Sequence, residues 1–414
     1  MDGKGEAYIP RALSGAISDA MSDTPVVCLL GPRQCGKSTL AMHLEPERLF
    51  VSLDESRYLD VATEDPDGFV QSLPRRVTIA EVQRAPAILR AIKRSVDKDR
   101  APGRFLLTGS ANFLLLKNVD ESLAGRMEIK RLQPLTESEK ARRPGRFLEA
   151  LIEGRLEPVI RRQPNTGQSL VERLLLGGYP EPSQRRLPRA RDWHREYLRG
   201  IVERDVRDIA RVRDAEDLAR LLELCAIRTG ELQNTSALAN ELRMTQATVE
   251  RYVQVLERLF LIRRLPAWHR NQATRLIKAP KFHVVDSGLA ATLSGLNTDS
   301  WRDERSRIGH LLESFVLQQM FAQAGWTDND LRFHHYRDKD QQEVDIVIVR
   351  GRSVWGIEVK AASSVSSRDG RGLRRLAELA GSVFRGGIAF YDGDDILPLA
   401  DKMLAVPISE LWMR

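Results

Sequence analysis

A glycine-rich loop near the start of the chain constrains the fold more than any other segment. Residues 31–39 read GPRQCGKST, an unbroken match to the pattern G-x-x-x-x-G-K-[ST]. An apolar run typical of a strand precedes the loop at residues 26–30, and a segment that can open a helix follows at residues 39–44. A strand, a glycine loop and a helix N-terminus in this order let backbone N–H groups surround a polyphosphate. The segment therefore predicts a P-loop that binds ATP or GTP.

Two side chains of the loop have expected roles in phosphoryl transfer. Lys37 would reach the β- and γ-phosphates, and the Ser38 hydroxyl would ligate Mg²⁺. The other loop positions would line the phosphates: Gly31, Pro32, Arg33, Gln34, Cys35, Gly36 and Thr39. ATP and Mg²⁺ are therefore the predicted cofactors.

Length and composition predict a multidomain protein without a membrane span. A chain of 414 residues would form roughly two to four domains of about 150 residues each. No run of about 18 apolar residues is present, and the first residues lack the apolar core of a signal peptide. The cysteines, Cys28, Cys35 and Cys225, lack metal-type spacing, so we expect a reducing, cytoplasmic location.

The positive charge of the chain permits nucleic-acid binding. The net charge is +7 and the sequence pI is near 9.4, values that are compatible with a DNA partner. The excess concentrates in residues 185–213, which hold ten arginines against five acids. Such a run is either a solvated helix face or a nucleic-acid contact, and the pattern leaves both interpretations open.

Residues 1–135 alternate strand and helix patterns, which predicts an α/β fold with a parallel sheet. Besides the strand before the loop, strands are expected at residues 49–54, 76–81 and 104–110. Ligands of such sheets bind at the carboxyl ends of the strands. The loop, Asp54, Glu81 and Ser110 should therefore lie along one edge of the sheet.

Glu81 is the candidate for polarising the attacking water, because phosphoryl transfer needs an oriented nucleophile. The alternative is an acid that caps a helix. Ala80 stands where an aspartate would steady the Mg²⁺ shell, and Asp54 is the nearest acid that would replace it. Ser110, at the end of the next strand, would contact the γ-phosphate or the water.

Arg126 is a further catalytic candidate, because it follows a turn of small residues. It would act as an arginine finger on the nucleotide of its own chain or on that of a neighbouring subunit. The second arrangement requires a homo-oligomer. The alternative is an ordinary ion pair with a surface acid.

The middle of the chain predicts two further domains. Residues 136–215 form a helical subdomain, punctuated by a Gly-Gly-Tyr-Pro turn. Residues 216–290 have the pattern of a winged helix, with a first helix capped by Thr235 or Ser236 and wing strands at residues 261–265 and 281–285.

The second helix of this predicted module would expose Gln246, Thr248, Glu250 and Arg251. A helix-turn-helix can read the major groove of DNA, but it is also a common structural module. The acidic side chain of Glu250 opposes phosphate contact, so the sequence leaves the two roles open.

Residues 291–304 are linker-like, and residues 305–414 predict another α/β unit. An amphipathic helix at residues 308–322 carries Glu313, and two strands joined by a turn carry Asp345, Glu358 and Lys360. Glu358 and Lys360 share one strand face because side chains alternate along a strand.

These acids and Lys360 resemble the D…ExK signature of restriction-endonuclease-like domains. Asp345 and Glu358 would hold Mg²⁺, with Glu313 and Lys360 nearby, and would activate a water against a phosphodiester. The alternative is a fold of this type whose acids no longer cleave.

The segments GPRQCGKST, TIAEVQRAP, RFLLTGSAN and SLAGRME, in this order and spacing, resemble bacterial and archaeal AAA-type ATPases that carry a C-terminal domain of unknown function. The later segments GGYPEP, VERDVRDIARV and KFHVVDSGLAATL resemble the same family. The resemblance implies an ATPase domain fused to a winged helix and a nuclease-like domain, with Glu81 as the water-activating residue. Family members commonly have Asp-Glu where this chain has Ala80-Glu81, so the metal-steadying role does not transfer.

Three functions follow from these patterns. The first is an ATP-hydrolysing switch or motor associated with nucleic acid, supported by the loop and Glu81. The second is a Mg²⁺-dependent nuclease gated by the ATPase-like domain, and the third is a DNA-binding regulator without nuclease chemistry.

Overall fold

The structure is a computed structural model, and it describes residues 8–109, 123–161, 169–201, 215–270 and 279–414. The chain divides into two compact units. The first contains the residues up to Leu135 together with Arg258–Phe260, and the second contains Thr136–Glu257 and Leu261–Arg414. Within the described residues, none of the helices is both long and apolar enough to cross a bilayer.

The first unit is built from alternating helices and strands. In chain order these are α1 (Leu13–Asp23), β1 (Val26–Leu30), α2 (Lys37–Leu44), β2 (Leu49–Ser52), α3 (Ser56–Glu64), α4 (Pro66–Ser72), β3 (Val77–Ala80), a 3-10 turn (Val82–Arg84), α5 (Ile88–Lys98), β4 (Phe105–Gly109) and β5 (Met127–Arg131).

The strands of this unit form a parallel sheet of five strands in the order β2-β3-β4-β1-β5. Val26 at the start of β1 lies between Phe105 and Met127, so all three strands begin at the same edge. β1, β3 and β4 are buried along their whole length, as expected for parallel strands covered on both faces. The predicted α/β fold with a parallel sheet is confirmed for this unit.

The second unit begins with helices and ends with a sheet. Its elements are α6 (Glu137–Lys140), α7 (Phe147–Ile152), α8 (Leu170–Leu176), α9 (Pro180–Ser183), α10 (Leu187–Gly200), α11 (Ala215–Ile227), α12 (Thr235–Leu242), α13 (Gln246–Arg258), β6 (Ile262–Leu265), β7 (Lys281–Val284), α14 (Ser287–Ser294), α15 (Ser300–Asp303), α16 (Arg305–Thr327), β8 (Arg332–Arg337), β9 (Glu343–Arg350), β10 (Ser353–Val359), α17 (Arg371–Ala380), β11 (Phe384–Tyr391), β12 (Leu397–Ala400), β13 (Met403–Pro407) and α18 (Glu410–Met413).

A mixed sheet of six strands closes this unit, in the order β12-β13-β11-β10-β9-β8. β8, β9 and β10 run antiparallel, whereas β10, β11 and β13 are parallel. Leu373 and Leu376 of α17 pack into the same core as Val344 and Val347 of β9. The sheet therefore holds β9 and β10, which carry the predicted acids, side by side.

Three sequence expectations for this unit are wrong in detail. The linker-like stretch 291–304 contains the end of α14 and all of α15. α16 is longer than predicted, and its residues 311–320 are buried on every side rather than on one amphipathic face. The cap of α12 is Asn234, whose Oδ1 accepts the N–H of Ser236 at 2.9 Å, rather than Thr235 or Ser236.

α12 and α13 form a helix-turn-helix that is followed by an antiparallel ribbon. The turn between the helices places Arg243 in the left-handed region, with φ 55°. In the ribbon of β6 and β7, Ile262 lies opposite Val284. Gln246 and Arg251 are exposed on α13, while Thr248 and Glu250 are partly buried.

Asp286 joins the start of α14 to the turn after α8. Its carboxylate accepts the N–H of Leu289 at 3.0 Å, which caps α14, and the N–H of Gly178 at 2.6 Å. A Cβ at Gly177, where φ is 68°, would lie 2.2 Å from Asp286 Oδ1. Only glycine allows this close approach, and the buried carboxylate satisfies backbone donors from both segments.

Replacing Asp286 with alanine should lower the free energy of unfolding by about 2–4 kcal/mol, because a helix cap and a buried charged hydrogen bond are both lost. Urea unfolding followed by circular dichroism measures this change. Asp299→Ala is the matched control, since Asp299 is exposed and begins α15 without a capping hydrogen bond. Equal shifts of the two variants would contradict the assigned role.

Candidate nucleotide site and carboxylate cluster

The glycine loop lies between β1 and α2, at the carboxyl edge of the first sheet. Gly36 is the residue before α2 and has φ 97°, a conformation that side chains disfavour. Gly36, the N-cap residue, has no side chain that could cap α2, so the N–H groups of the first turn can take an anion as their hydrogen-bond partner. The residues present therefore fit the phosphates of a nucleotide.

Arg11 joins this loop to the segment that follows β5. Its guanidinium is buried and donates to the carbonyl oxygen of Cys35 at 2.8 Å and to that of Gln133 at 2.7 Å. A Cβ at Gly31 would lie 2.3 Å from the carbonyl oxygen of Leu132, so the loop packs closely against this segment. Arg11 was not predicted from the sequence, because an arginine before the first helix has no distinguishing pattern.

Lys37 is folded into the loop. Its Nζ donates to the carbonyl oxygens of Gly31 at 3.0 Å and Pro32 at 2.7 Å, and the side chain is buried. Ser38 is partly buried, and the side chains of Arg33 and Gln34 are exposed. The carbonyl oxygens of the loop therefore hold Lys37 Nζ beside Gly31 and Pro32.

Glu81 follows directly on β3, and its backbone has φ 58°. A non-glycine residue in this region stores strain, which is commonly found at functional sites. Its side chain makes no helix-capping hydrogen bond and instead accepts from Gln83 Nε2 at 2.5 Å. This contact does not support the helix-cap interpretation of Glu81.

Asp54 is exposed and pairs with Arg84, with 2.8 Å between Oδ1 and Nη1. Ala80 is the last residue of β3 and is buried. Thr108 near the end of β4 is buried, and its Oγ1 has no hydrogen-bond partner within the described part of the chain. Ser110, the predicted contact to the γ-phosphate, lies outside the described residues.

Arg126 lies at the opposite edge of the sheet from the loop. It precedes β5, and its carbonyl oxygen accepts the N–H of Val26 at the start of β1. The strands between this edge and the loop are five residues long, about 16 Å at 3.3 Å per residue. Its guanidinium donates to Asp97 at 2.6 Å, so Arg126 forms an ion pair with an acid on that side of the sheet.

The second set of predicted residues converges at the ends of β9 and β10. Lys360 Nζ lies 2.8 Å from Glu358 Oε2, and the N–H of Val359 donates to Asp345 Oδ2 at 2.8 Å. Glu313 approaches from α16 and is 3% exposed. The four residues that the D…ExK pattern singled out therefore lie together in the structure.

Lys281 of β7 is the member of this cluster that the sequence analysis missed. It is 2% exposed, and its Nζ lies 2.9 Å from Glu313 Oε1, 2.5 Å from Glu343 Oε1 and 3.9 Å from Asp345 Oδ1. In the sequence it was only the first residue of a strand, with no sign that its ammonium points inward.

Burial and neighbouring charges shift the pKa values of the groups in this cluster. Burial raises the pKa of Glu313, but Lys281, His310 and His283 together outweigh burial and lower this pKa to about 2. Burial and then the neighbouring Glu313 and Glu358 carboxylates raise the pKa of Asp345 well above its usual value. Burial also lowers the pKa of His283 to about 3, so this imidazole is neutral near pH 7 and Lys281 supplies the positive charge.

The predicted Mg²⁺ site at Asp345 and Glu358 is not supported by this arrangement. Among the described residues, no group of three or more histidine, cysteine, aspartate or glutamate side chains is placed to hold a metal ion. The physical reason is that an ammonium group lies among the carboxylates that would have to surround the metal.

Comparison with protein families matches three successive parts of the chain. Residues 23–140 match a family described as AAA domain. Residues 167–300 match a domain of unknown function (DUF8612), and residues 308–411 match another (DUF4143). Together with the loop and the parallel sheet, the first match shows that the N-terminal unit is similar to AAA domains and has a fold consistent with a P-loop NTPase.

Two individual proteins are similar to this chain over most of its length. Two uncharacterized proteins, one of Mycobacterium bovis and one of Mycobacterium tuberculosis, are each 28% identical over 408 residues, which is 97% of this chain and 84% of the relative. Among solved structures, the Walker-type ATPase of Pyrococcus abyssi is 16% identical and covers 70% of this chain and 97% of its own, with a TM-score of 0.42. RuvB of Thermotoga maritima is 20% identical, and the match covers 61% of this chain and 87% of the RuvB chain, with a TM-score of 0.28.

Replacing Arg11 with alanine should weaken ATP binding, because the hydrogen bonds that hold the carbonyl oxygens of Cys35 and Gln133 are lost. We expect a loss of about tenfold in affinity, which corresponds to about 1.4 kcal/mol. Titration with a fluorescent ATP analogue measures the affinity. Arg57→Ala is the control, since Arg57 is an exposed arginine of the same unit that pairs with Glu55. Unchanged affinity in a folded Arg11→Ala protein would contradict the role assigned to Arg11.

Proposed function

We propose that this protein binds and hydrolyses ATP with Mg²⁺ and acts as a nucleotide-driven switch or motor. The observation that carries the proposal is the loop of residues 31–39 at the carboxyl edge of a parallel sheet, with the strained Glu81 at the same edge. β4 separates β1 from β3, so the two strand ends are about 10 Å apart at a spacing of about 4.8 Å per strand. That gap accommodates a terminal phosphate and an attacking water.

The residues would divide the chemistry between them. Lys37 would neutralise the β- and γ-phosphates, Ser38 would ligate Mg²⁺, and Glu81 would orient the water. Mg²⁺ retains several waters and needs few protein ligands when phosphates supply the rest. An aspartate at position 80 is therefore not required for the metal to bind with the nucleotide.

Replacing Glu81 with glutamine should reduce ATP turnover about 100-fold or more while nucleotide binding is retained, because the water loses its base. Lys37→Ala should lose nucleotide affinity instead. Phosphate release and nucleotide titration measure the two effects, and Glu64→Gln at an exposed helix end is the control.

Equal phosphate release by the Glu81→Gln and wild-type proteins would exclude Glu81 from hydrolysis. Binding that persists in the Lys37→Ala protein would exclude the loop as the nucleotide site. The two outcomes are independent, so binding and hydrolysis are tested separately.

We propose a finer domain organisation for the rest of the chain. Residues 136–215 would be a helical subdomain, 216–290 a winged helix and 305–414 a restriction-endonuclease-like domain. The helix-turn-helix with its ribbon supports the second assignment, and the placement of Asp345 and Glu358 on neighbouring strands supports the third. Nucleotide state would then reposition the winged helix and the C-terminal domain.

DNA binding by the helix-turn-helix is the second candidate function. Glu250, which would oppose phosphate contact, pairs with Arg264 of β6, with 2.8 Å between Oε1 and Nη2. Arg264 also pairs with Glu257 at 3.2 Å. The exposed Arg251 and Gln246 of α13 are left to face the duplex. The exposed arginines of α10 are less suited, because Arg195 and Arg199 pair with acids on the same helix.

Replacing Arg251 with alanine should weaken DNA binding and reduce the slope of log K against log salt by about one, as expected for one lost phosphate contact. Fluorescence anisotropy with a labelled duplex at several salt concentrations measures both. Arg199→Ala is the matched control. Absence of binding at low salt would exclude this function for the wild-type protein.

A homo-oligomer remains the condition under which Arg126 would act in catalysis, since it would have to reach the nucleotide of a neighbouring subunit. Phosphodiester cleavage is the least favoured of the three functions, because Lys281 lies among the acids that would bind the metal.

A further inference from the structure

The carboxylate cluster of the second unit contains its own cation. Lys281 is the first residue of β7, and its side chain is 2% exposed. The ammonium contacts Glu313 of α16 and Glu343 of β9, so three elements that are distant in sequence meet at one charge. A buried ammonium is tolerated only when carboxylates pair with it, and here two of them do.

The two acids that were predicted as metal ligands each accept a hydrogen bond from within the protein. Asp345 Oδ2 accepts the N–H of Val359 at 2.8 Å, and Glu358 Oε2 accepts from Lys360 at 2.8 Å. Mg²⁺ requires near-octahedral oxygen ligands at about 2.0–2.1 Å and keeps part of its water shell. Each acid that was predicted as a ligand therefore already has an internal donor.

The backbone around the cluster is also packed tightly. A Cβ at Gly372 would lie 2.0 Å from the carbonyl oxygen of Glu343 and 2.3 Å from Glu358 Oε1. A Cβ at Gly230, where φ is 79°, would lie 3.4 Å from Glu313 Oε2. The backbone at Gly372 therefore closes one side of the Glu358 carboxylate, whereas Gly230 lies at an ordinary van der Waals distance from Glu313.

We propose that Lys281 is the resident cation of this cluster. Its ammonium takes the place that a divalent metal would need, and it ties the β6–β7 ribbon to the carboxylates of α16 and β9. The cluster then serves to hold the helix-turn-helix module on the C-terminal sheet, and it does not bind Mg²⁺. This inference is independent of the proposed ATPase activity.

Mn²⁺ binding to the nucleotide-free full chain tests the proposal, because electron paramagnetic resonance counts free Mn²⁺ directly. The wild-type and Asp345→Asn proteins should bind the same amount of Mn²⁺. Lys281→Met should gain about one bound Mn²⁺ per chain by vacating the cluster, and adding Asp345→Asn should remove it. Lys402→Met removes an exposed lysine of the same unit and should gain none.

Two results would overturn the proposal. One is Mn²⁺ bound by the wild-type protein and lost in Asp345→Asn, and the other is a folded Lys281→Met protein that gains no Mn²⁺.

If Lys281→Met does not fold, the wild-type and Asp345→Asn comparison still decides whether the native cluster takes a metal. The ion pair between Lys281 and Glu313 is then tested by introducing Glu313→Gln into the wild-type protein and into the Lys281→Arg protein. The change in the thermal unfolding midpoint is measured in each. Arginine retains the charge, so Lys281→Arg should fold, and Glu313→Gln should lower both midpoints by several degrees. An unchanged midpoint in the wild-type background would contradict the ion pair.

Discussion

The common direction of the strands in the first sheet decides which residues of that unit can act together. Because all five strands are parallel, their carboxyl ends meet at one edge, and the glycine loop and Glu81 both lie there. The same constraint places Arg126 at the other edge, where it pairs with Asp97. The residues that were predicted to be catalytic are thus divided between the two edges of the sheet, with Glu81 beside the loop and Arg126 at the opposite edge.

In the second unit, buried charged side chains hold elements that are distant in sequence against one another. Lys281 and its carboxylate partners join a ribbon, a long helix and a sheet, and Asp286 joins α14 to the turn after α8. In both places a side chain with little exposure satisfies groups from distant segments. Such contacts specify how the elements pack, since removing one partner leaves a desolvated group unpaired.

Much of the architecture could be predicted because it rests on local patterns. The loop, the strand before it and the strand that ends before Glu81 were predicted from apolar runs and glycine spacing, and the parallel sheet confirmed them. The cap of α12 and the linker-like segment 291–304 were wrong. Neighbouring polar residues can each cap a helix, and short helices such as α15 depend on tertiary packing more than on their own propensity.

The sequence alone determined the glycine loop between a strand and a helix, from which phosphate binding was predicted, and the pattern that Glu313, Asp345, Glu358 and Lys360 share. Both are recognised from spacings along the chain. Only the tertiary structure decided that Arg11 holds the loop, that Arg126 faces away from it and that Lys281 lies among the carboxylates. These contacts join residues between 24 and 122 positions apart, as in Arg11 with Cys35 and Arg11 with Gln133. Spacing carries no information about such pairs, since the direction of a strand and the packing of a helix bring them together.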